Sequence, residues 1–185
     1  MPAPFTTDYI DALPEDGNRY ELIDGQLLVG PSPIWGHQEV AGALFVLLRA
    51  SCPRDLRVVV APFDVRPDAH NDVRPDVLVA RYDALAPGGR PGKRLTDAPL
   101  LAVEVFSPSS RMTDRTLKRA FYARLGVPSY WLVDPDPERP SLTANVLDGD
   151  DYQEIVTVTG DEPFHATEPF DVTIVPSELV RGLRP

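Results

Sequence analysis

"PLLAVEVFSPSSRMTDRTLKRAFYARLGVPSYWLVDP", residues 99–135, decides the fold. It runs from an apolar segment through a turn into a helical pattern, then into a second apolar segment. Leu100–Phe106 is short and apolar throughout, which predicts a strand buried on both faces. Residues 111–126 read as a helix, with Thr113 as N-cap, Gly126 just past the end and Pro128 beyond it. Leu117, Ala120 and Phe121 are expected to form its apolar face. "SYWLVDP" is the returning strand. A crossover through residues 113–125 makes the two strands parallel and right-handed.

Outward from this unit the elements stay short, and the prolines mark their boundaries. "TTDYIDAL" predicts a short helix capped by Thr6 or Thr7. "RYELIDGQLLV" predicts a hairpin turning at Asp24-Gly25. "GHQEVAGALFVLLRAS" is a strong helix, with Val40, Leu44, Leu47 and Leu48 at helical spacing. "RVVVAPFDVRP" reads as one strand, irregular at Pro62, and "RPDVLVAR" as the next. "SLTANVLDG" and "DYQEIVTVTG" form a hairpin, and "FDVTIVP" is a last strand. This order predicts an α/β (α+β) fold, a central mixed sheet flanked by helices, with extra N- and C-terminal strands. The length of 185 residues suits a single domain over 1–185.

The net charge of −10 argues against a protein that coats nucleic acid by charge alone. Arg81 to Arg124 nevertheless holds nine basic residues against four acids. That excess reads either as a local basic surface or as scattered solvated charge. No run reaches the roughly 18 apolar residues of a membrane span, and the N-terminus lacks a basic start and a hydrophobic run. The single cysteine, Cys52, excludes an internal disulfide, so a cytoplasmic location is expected.

Two carboxylates stand where strands should be apolar. Glu104 shares a face with Ala102 and Phe106, and Asp76 shares one with Leu78 and Ala80. A buried unpaired carboxylate costs several kcal/mol, on the order of 3–5. One solution is a divalent cation with oxygen ligands bridging the two acids. The other is a salt bridge from Glu104 to Arg74 or Arg115. Lys118 is one of only two lysines against sixteen arginines, which suggests chemistry that needs a compact ammonium. Asp114, Lys118 and Tyr122 follow one line along the helix. Lys118 therefore either reaches over the sheet or pairs with Asp114 at the surface.

"RPDVLVA", "LLAVEVFSPSS" and "DRTLKRAFYARLGVPSYWLVDP" together resemble the Uma-type family of restriction-endonuclease-like proteins, within the PD-(D/E)XK nuclease superfamily. "YELIDGQL" and "PSPIWGHQ" match its N-terminal portion, and the likeness covers about residues 18–175. The resemblance implies a restriction-endonuclease-like core and a metal-dependent nuclease acting on DNA. It implies Asp76 and Glu104 as catalytic metal ligands for Mg²⁺ or Mn²⁺, with the Val105 backbone carbonyl, and Glu21 completing the catalytic set. The superfamily keeps a lysine two residues after the second acid. Here that position is Phe106, and Lys118 is the substitute. His37 matches a family position suited to contacting water or phosphate, though it also reads as a surface histidine. Tyr122 and Tyr130 match as packing or supporting residues. Arg111, Arg115 and Arg119 are candidate phosphate contacts, and cutting both strands calls for a homodimer. The competing reading is a catalytically inactive module that keeps the fold to bind nucleic acid or protein.

Overall fold

The computed structural model describes residues 4–184. The chain begins with helix α1 (Thr7–Asp11) and the hairpin β1 (Asn18–Ile23) and β2 (Gln26–Pro31). Asp24 (φ 51°) and Gly25 (φ 74°) make the turn, as the Asp-Gly pair predicts. Helix α2 spans Trp35–Ser51. Then follow β3 (Leu56–Val60), β4 (Asp64–Asp68), β5 (Asn71–Val73), β6 (Val77–Arg81), the short α3 (Tyr82–Leu85), β7 (Arg94–Leu95) and β8 (Leu101–Val105). Three contiguous segments, Arg111–Thr113, Asp114–Lys118 and Arg119–Leu125, form one helix, α4. Strands β9 (Ser129–Asp134), β10 (Ser141–Asp148), β11 (Asp151–Thr159), β12 (Phe164–Ala166) and β13 (Val172–Ile174) and helix α5 (Pro176–Leu179) complete the chain.

The central sheet runs β11-β10-β9-β8-β6-β3. Only β8 and β9 are parallel in it, joined by α4 as the sequence predicts. The N-terminal hairpin belongs to a second sheet, β2-β1-β5-β4-β7. Alternation sorts the central strands into two faces. Val77, Val79, Leu101, Val103, Val105, Trp131 and Val133 pack against Val40, Ala41, Leu44 and Leu48 of α2. Leu78, Ala80, Ala102, Phe106, Tyr130 and Leu132 pack against Phe121, Tyr122 and Ala123 of α4 and against Ile23, Val65 and Val73 of the second sheet. Glu104 projects with the second set, toward α4. Among the described residues, no helix is long and apolar enough to cross a membrane.

Three sequence expectations change. Residues 57–67 are not one strand: β3 and β4 lie in different sheets, separated at Ala61–Phe63. Pro62 has no N–H for a ladder, and the Ala61 N–H is spent on the Asp76 carbonyl (3.0 Å). Thr113 is not the N-cap of α4; the helix starts at Arg111, and Thr113 already has helical dihedrals. Leu117 and Ala120 do not face the core but are exposed. The buried line is Asp114, Lys118 and Tyr122. Asp114–Lys118 is a π-helical turn, wider than an α turn. Eight α-helical residues overshoot two turns by about 80°, and the wide turn takes up part of that drift.

Leu101 is fully buried on β8 between β6 and β9. Leu101→Ala is expected to lower stability by about 2–5 kcal/mol, read from urea denaturation. A loss well below about 1 kcal/mol would contradict its place in a closely packed layer.

Candidate active site

Two acids of the site come from strands and one from the residue leading into a third, and the ammonium comes from the crossover helix. Glu104 lies on β8, Asp76 just before β6, Glu21 on β1 and Lys118 on α4. All four are buried. Lys118 Nζ lies 3.0 Å from Glu21 Oε1 and 3.0 Å from Glu104 Oε1, and 3.8 Å from Asp114 Oδ1. The Asp114–Lys118 contact thus lies in the interior rather than at the surface. Neither arginine proposed as a partner for Glu104 reaches it: Arg74 binds Asp64, and Arg115 stacks on Phe106 at 5.0 Å.

Each carboxylate is fixed by specific donors. The Tyr122 hydroxyl donates to Glu104 Oε1 (2.9 Å). The Arg74 backbone N–H donates to Glu21 Oε1 (2.7 Å). The Val105 N–H donates to Asp76 Oδ2 (2.8 Å), and His37 Nε2 lies 3.0 Å from the same oxygen. His37 is thus a buried partner of Asp76 rather than a surface histidine, although it also borders a cleft. The Tyr130 hydroxyl donates to the Asp114 carbonyl (2.8 Å), inside the π turn where the α ladder is interrupted. Tyr122 and Tyr130 pack on each other at 5.2 Å, so one aromatic pair braces both the acid and the wide turn.

Sequence reading missed Arg19. Its guanidinium sits among the three acids, with Nη1 3.0 Å from Asp76 Oδ1 and Nη2 3.2 Å from Glu21 Oε1 and 3.9 Å from Glu104 Oε2. Nη2 also donates to the Arg74 carbonyl. The signal was present: Arg19 and Glu21 stand two apart on β1 and so share a face. Asp114 was missed as an interior acid. Both its carboxylate oxygens are buried without a hydrogen-bond partner.

These environments drive the acids apart. Burial pushes Asp76 up, but the His37 contact and the charges of Arg19 and Lys118 outweigh it and hold Asp76 at about 2. Burial also raises Glu21, and Lys118, Arg19 and the Arg74 N–H bring it below its ordinary value. For Glu104 burial wins: despite Lys118, and with Asp76 and Asp114 adding repulsion, it lies well above the usual range. Burial raises Asp114 as well. Burial alone would lower Lys118, but Glu104 and Glu21 raise it above its ordinary value and keep it an ammonium.

The oxygen donors suit a hard divalent cation. Four interior acids, Glu21, Asp76, Glu104 and Asp114, face two permanent cations, Arg19 and Lys118. Two cations cannot hold all four acids ionised, and Glu104 and Asp114, both raised by burial, are the ones left short; a further positive group would let them ionise. Among the described residues, no three His, Cys, Asp or Glu side chains close up tightly enough to hold a metal ion as they stand. The acids are instead arrayed around the Arg19 guanidinium.

Residues 7–177 match the family described as Uma2, putative restriction endonuclease. The chain belongs to this family. A crystal structure of a putative nuclease belonging to DUF820, from Anabaena variabilis, is similar over 98% of this chain and 100% of that one, with 21% identity and a TM-score of 0.76. That likeness establishes the shared nuclease fold. Among curated proteins, none matches the chain.

Of the three arginines expected to meet phosphate in this Uma2 chain, two are engaged by acids. Arg111 grips Asp134 through both nitrogens (2.6 and 3.0 Å), and Arg119 binds Asp151 (2.5 Å) on β11. Arg115 is exposed and makes no ion pair among the described residues. A cleft of about 540 Å³, bordered by Pro33, His37, Phe106 and Pro108, meets the site at His37, the partner of Asp76.

The lowered Asp76 fixes a pH dependence. Its stabilisation is present above its unfolded value near 3.8 and is lost as pH falls through about 2. In urea titrations, wild type should shed about 2 kcal/mol more than Asp76→Asn between about pH 4 and pH 2. Parallel pH profiles would show that Asp76 is not held ionised.

Proposed function

We propose that the chain is a divalent-metal-dependent endonuclease that hydrolyses nucleic-acid phosphodiesters, foremost DNA, in the cytoplasm. The observation that carries this reading is the convergence of three buried acids in a chain of this family: Glu21 and Glu104 on the Lys118 ammonium, and Asp76 joined to both through Arg19. Asp76 and Glu104, with Glu21 and the Val105 backbone carbonyl, would hold Mg²⁺ or Mn²⁺. Such an ion polarises a phosphodiester and makes a bound water more acidic.

The chain's own groups then have distinct roles. Lys118 is charged and cannot serve as a base while Glu21 and Glu104 hold its proton. Its ammonium orients the attacking water and offsets negative charge developing on the phosphate. Tyr122 fixes one oxygen of Glu104. His37 and the Val105 N–H fix one oxygen of Asp76, so each acid keeps an oxygen directed away from its support. Phosphate approaches along the cleft beside His37 and Phe106, and Arg115, which stacks on Phe106 and makes no ion pair among the described residues, is the arginine available to meet it. Arg111 and Arg119 contribute only by exchanging their acid partners for phosphate. With one such site per chain, cutting both strands calls for two copies.

Asp76→Asn and Glu104→Gln keep the shape of each side chain and remove its charge. Nicking of supercoiled plasmid with Mn²⁺ should fall by about a hundredfold or more in each, with unchanged circular dichroism. Wild-type rates in both purified variants would refute the proposal. Lys118→Met should also abolish nicking. In addition it should destabilise the fold by about 3–5 kcal/mol near neutral pH, because Glu21 and Glu104 lose their shared cation in the interior. That penalty should shrink as the pH is lowered and the stranded acids take up protons. A pH-independent penalty would indicate a packing role alone.

A further inference from the structure

Arg19 is the permanent cation at the centre of the site to which metal-dependent hydrolysis assigns no role. Its guanidinium spans Asp76 (3.0 Å), Glu21 (3.2 Å) and Glu104 (3.9 Å). These are the carboxylates assigned to a divalent cation, so one group of oxygens faces two claimants. Three observations distinguish Arg19 from a permanent ion-pair partner. Its Nε is buried without a hydrogen-bond partner, so the guanidinium is incompletely satisfied where it sits. Lys118 already joins Glu21 to Glu104 with two 3.0 Å contacts, so Arg19 is not needed to bridge those two. A cavity of about 230 Å³ adjoins it, bordered by Asn18, Arg19, Ser32, Gln38, Pro62 and Arg74. This cavity gives the side chain a place to withdraw without unfolding its strand. The strand itself stays in place, since β1 pairs with β2 along its whole length with Arg19 opposite Gly30, so only the side chain need move.

We infer that Arg19 is a tethered counter-ion that competes with divalent cations for the carboxylates of Glu21, Asp76 and Glu104, and swings into the adjoining cavity when a cation displaces it. In its inner position it offsets repulsion among the three acids, and so sets a threshold for cation binding. Arginine suits this role, because its planar fork spans several carboxylates at once and it stays charged at any physiological pH. This inference rests on the metal-dependent reading, and its test separates the two.

Titration calorimetry of the full chain with MnCl₂, without nucleic acid, is the direct test. Arg19→Gln should bind Mn²⁺ about tenfold or more tightly than wild type, since a like charge within a few ångströms is gone. Added Mn²⁺ should also raise its thermal midpoint more steeply. Arg19→Lys, which keeps the charge but loses the fork, should fall between the two. Equal or weaker binding by Arg19→Gln, with wild type still binding, overturns the counter-ion role and leaves the metal-dependent reading standing. Absence of Mn²⁺ binding in both proteins overturns both. Should Arg19→Gln fail to fold, the wild-type protein provides the second measurement. The Arg19 Nε–H resonance of isotope-labelled protein, titrated with diamagnetic Mg²⁺, should shift and exchange faster with solvent at saturation. An unmoved Arg19 signal while the Val105 amide shifts overturns the inference.

Discussion

One carboxylate constrains this molecule more than any other group. Glu104 sits mid-strand in a sheet covered on both faces, at 1% exposure. There an uncompensated charge costs more than most single contacts return. The surrounding architecture supplies the compensation. Helix α4 must bring Lys118 inward, and its widened turn keeps Asp114, Lys118 and Tyr122 on the covered side. Tyr122 must spend its hydroxyl on the acid, and Tyr130 on the turn. The second sheet must place β1 where Glu21 and Arg19 reach the same spot. A site of this kind fixes the fold as much as the fold holds the site.

The same burial acts differently on neighbouring acids. Asp76 has three close donors and stays ionised to low pH, whereas Glu104 has the Tyr122 hydroxyl and an ammonium shared with Glu21, and is repelled by Asp76 and Asp114. Carboxylates of one chemical type thus acquire different proton affinities from position alone. A buried cluster with more acid than base is poorly explained by stability, since an apolar replacement would serve stability as well or better. Retaining it points to a function that needs concentrated negative charge.

Much of the framework was legible in residues 99–135. An uninterrupted apolar run, a helix ended by Gly126 and a second apolar run specify a parallel pair with its crossover, because local propensity and pattern agree there. The Asp24-Gly25 turn was legible for the same reason. Pro62 signalled an irregularity, but not that the chain would leave one sheet for another; that depends on which strands are available to pair. The inward face of α4 was misread at Leu117 and Ala120, because a period of 3.6 does not anticipate a π turn. Glu104, Asp76 and Lys118 stood out because each broke a local pattern. Arg19 broke none, since a charged residue on a hairpin strand is unremarkable until its neighbours are known.

By itself, the sequence determined the main helices and strands, the ends marked by Asp24-Gly25 and Gly126, and which side chains are out of place in them. These properties follow from backbone sterics and hydrophobic periodicity within about twenty residues of chain. The tertiary structure alone decided that Glu21, Asp76 and Glu104 share one guanidinium, that Lys118 is interior and that Asp114 is left without a donor. These facts join residues up to about a hundred positions apart. They are settled by charge compensation in a dry interior, where a buried charge is costly unless a partner reaches it across the fold.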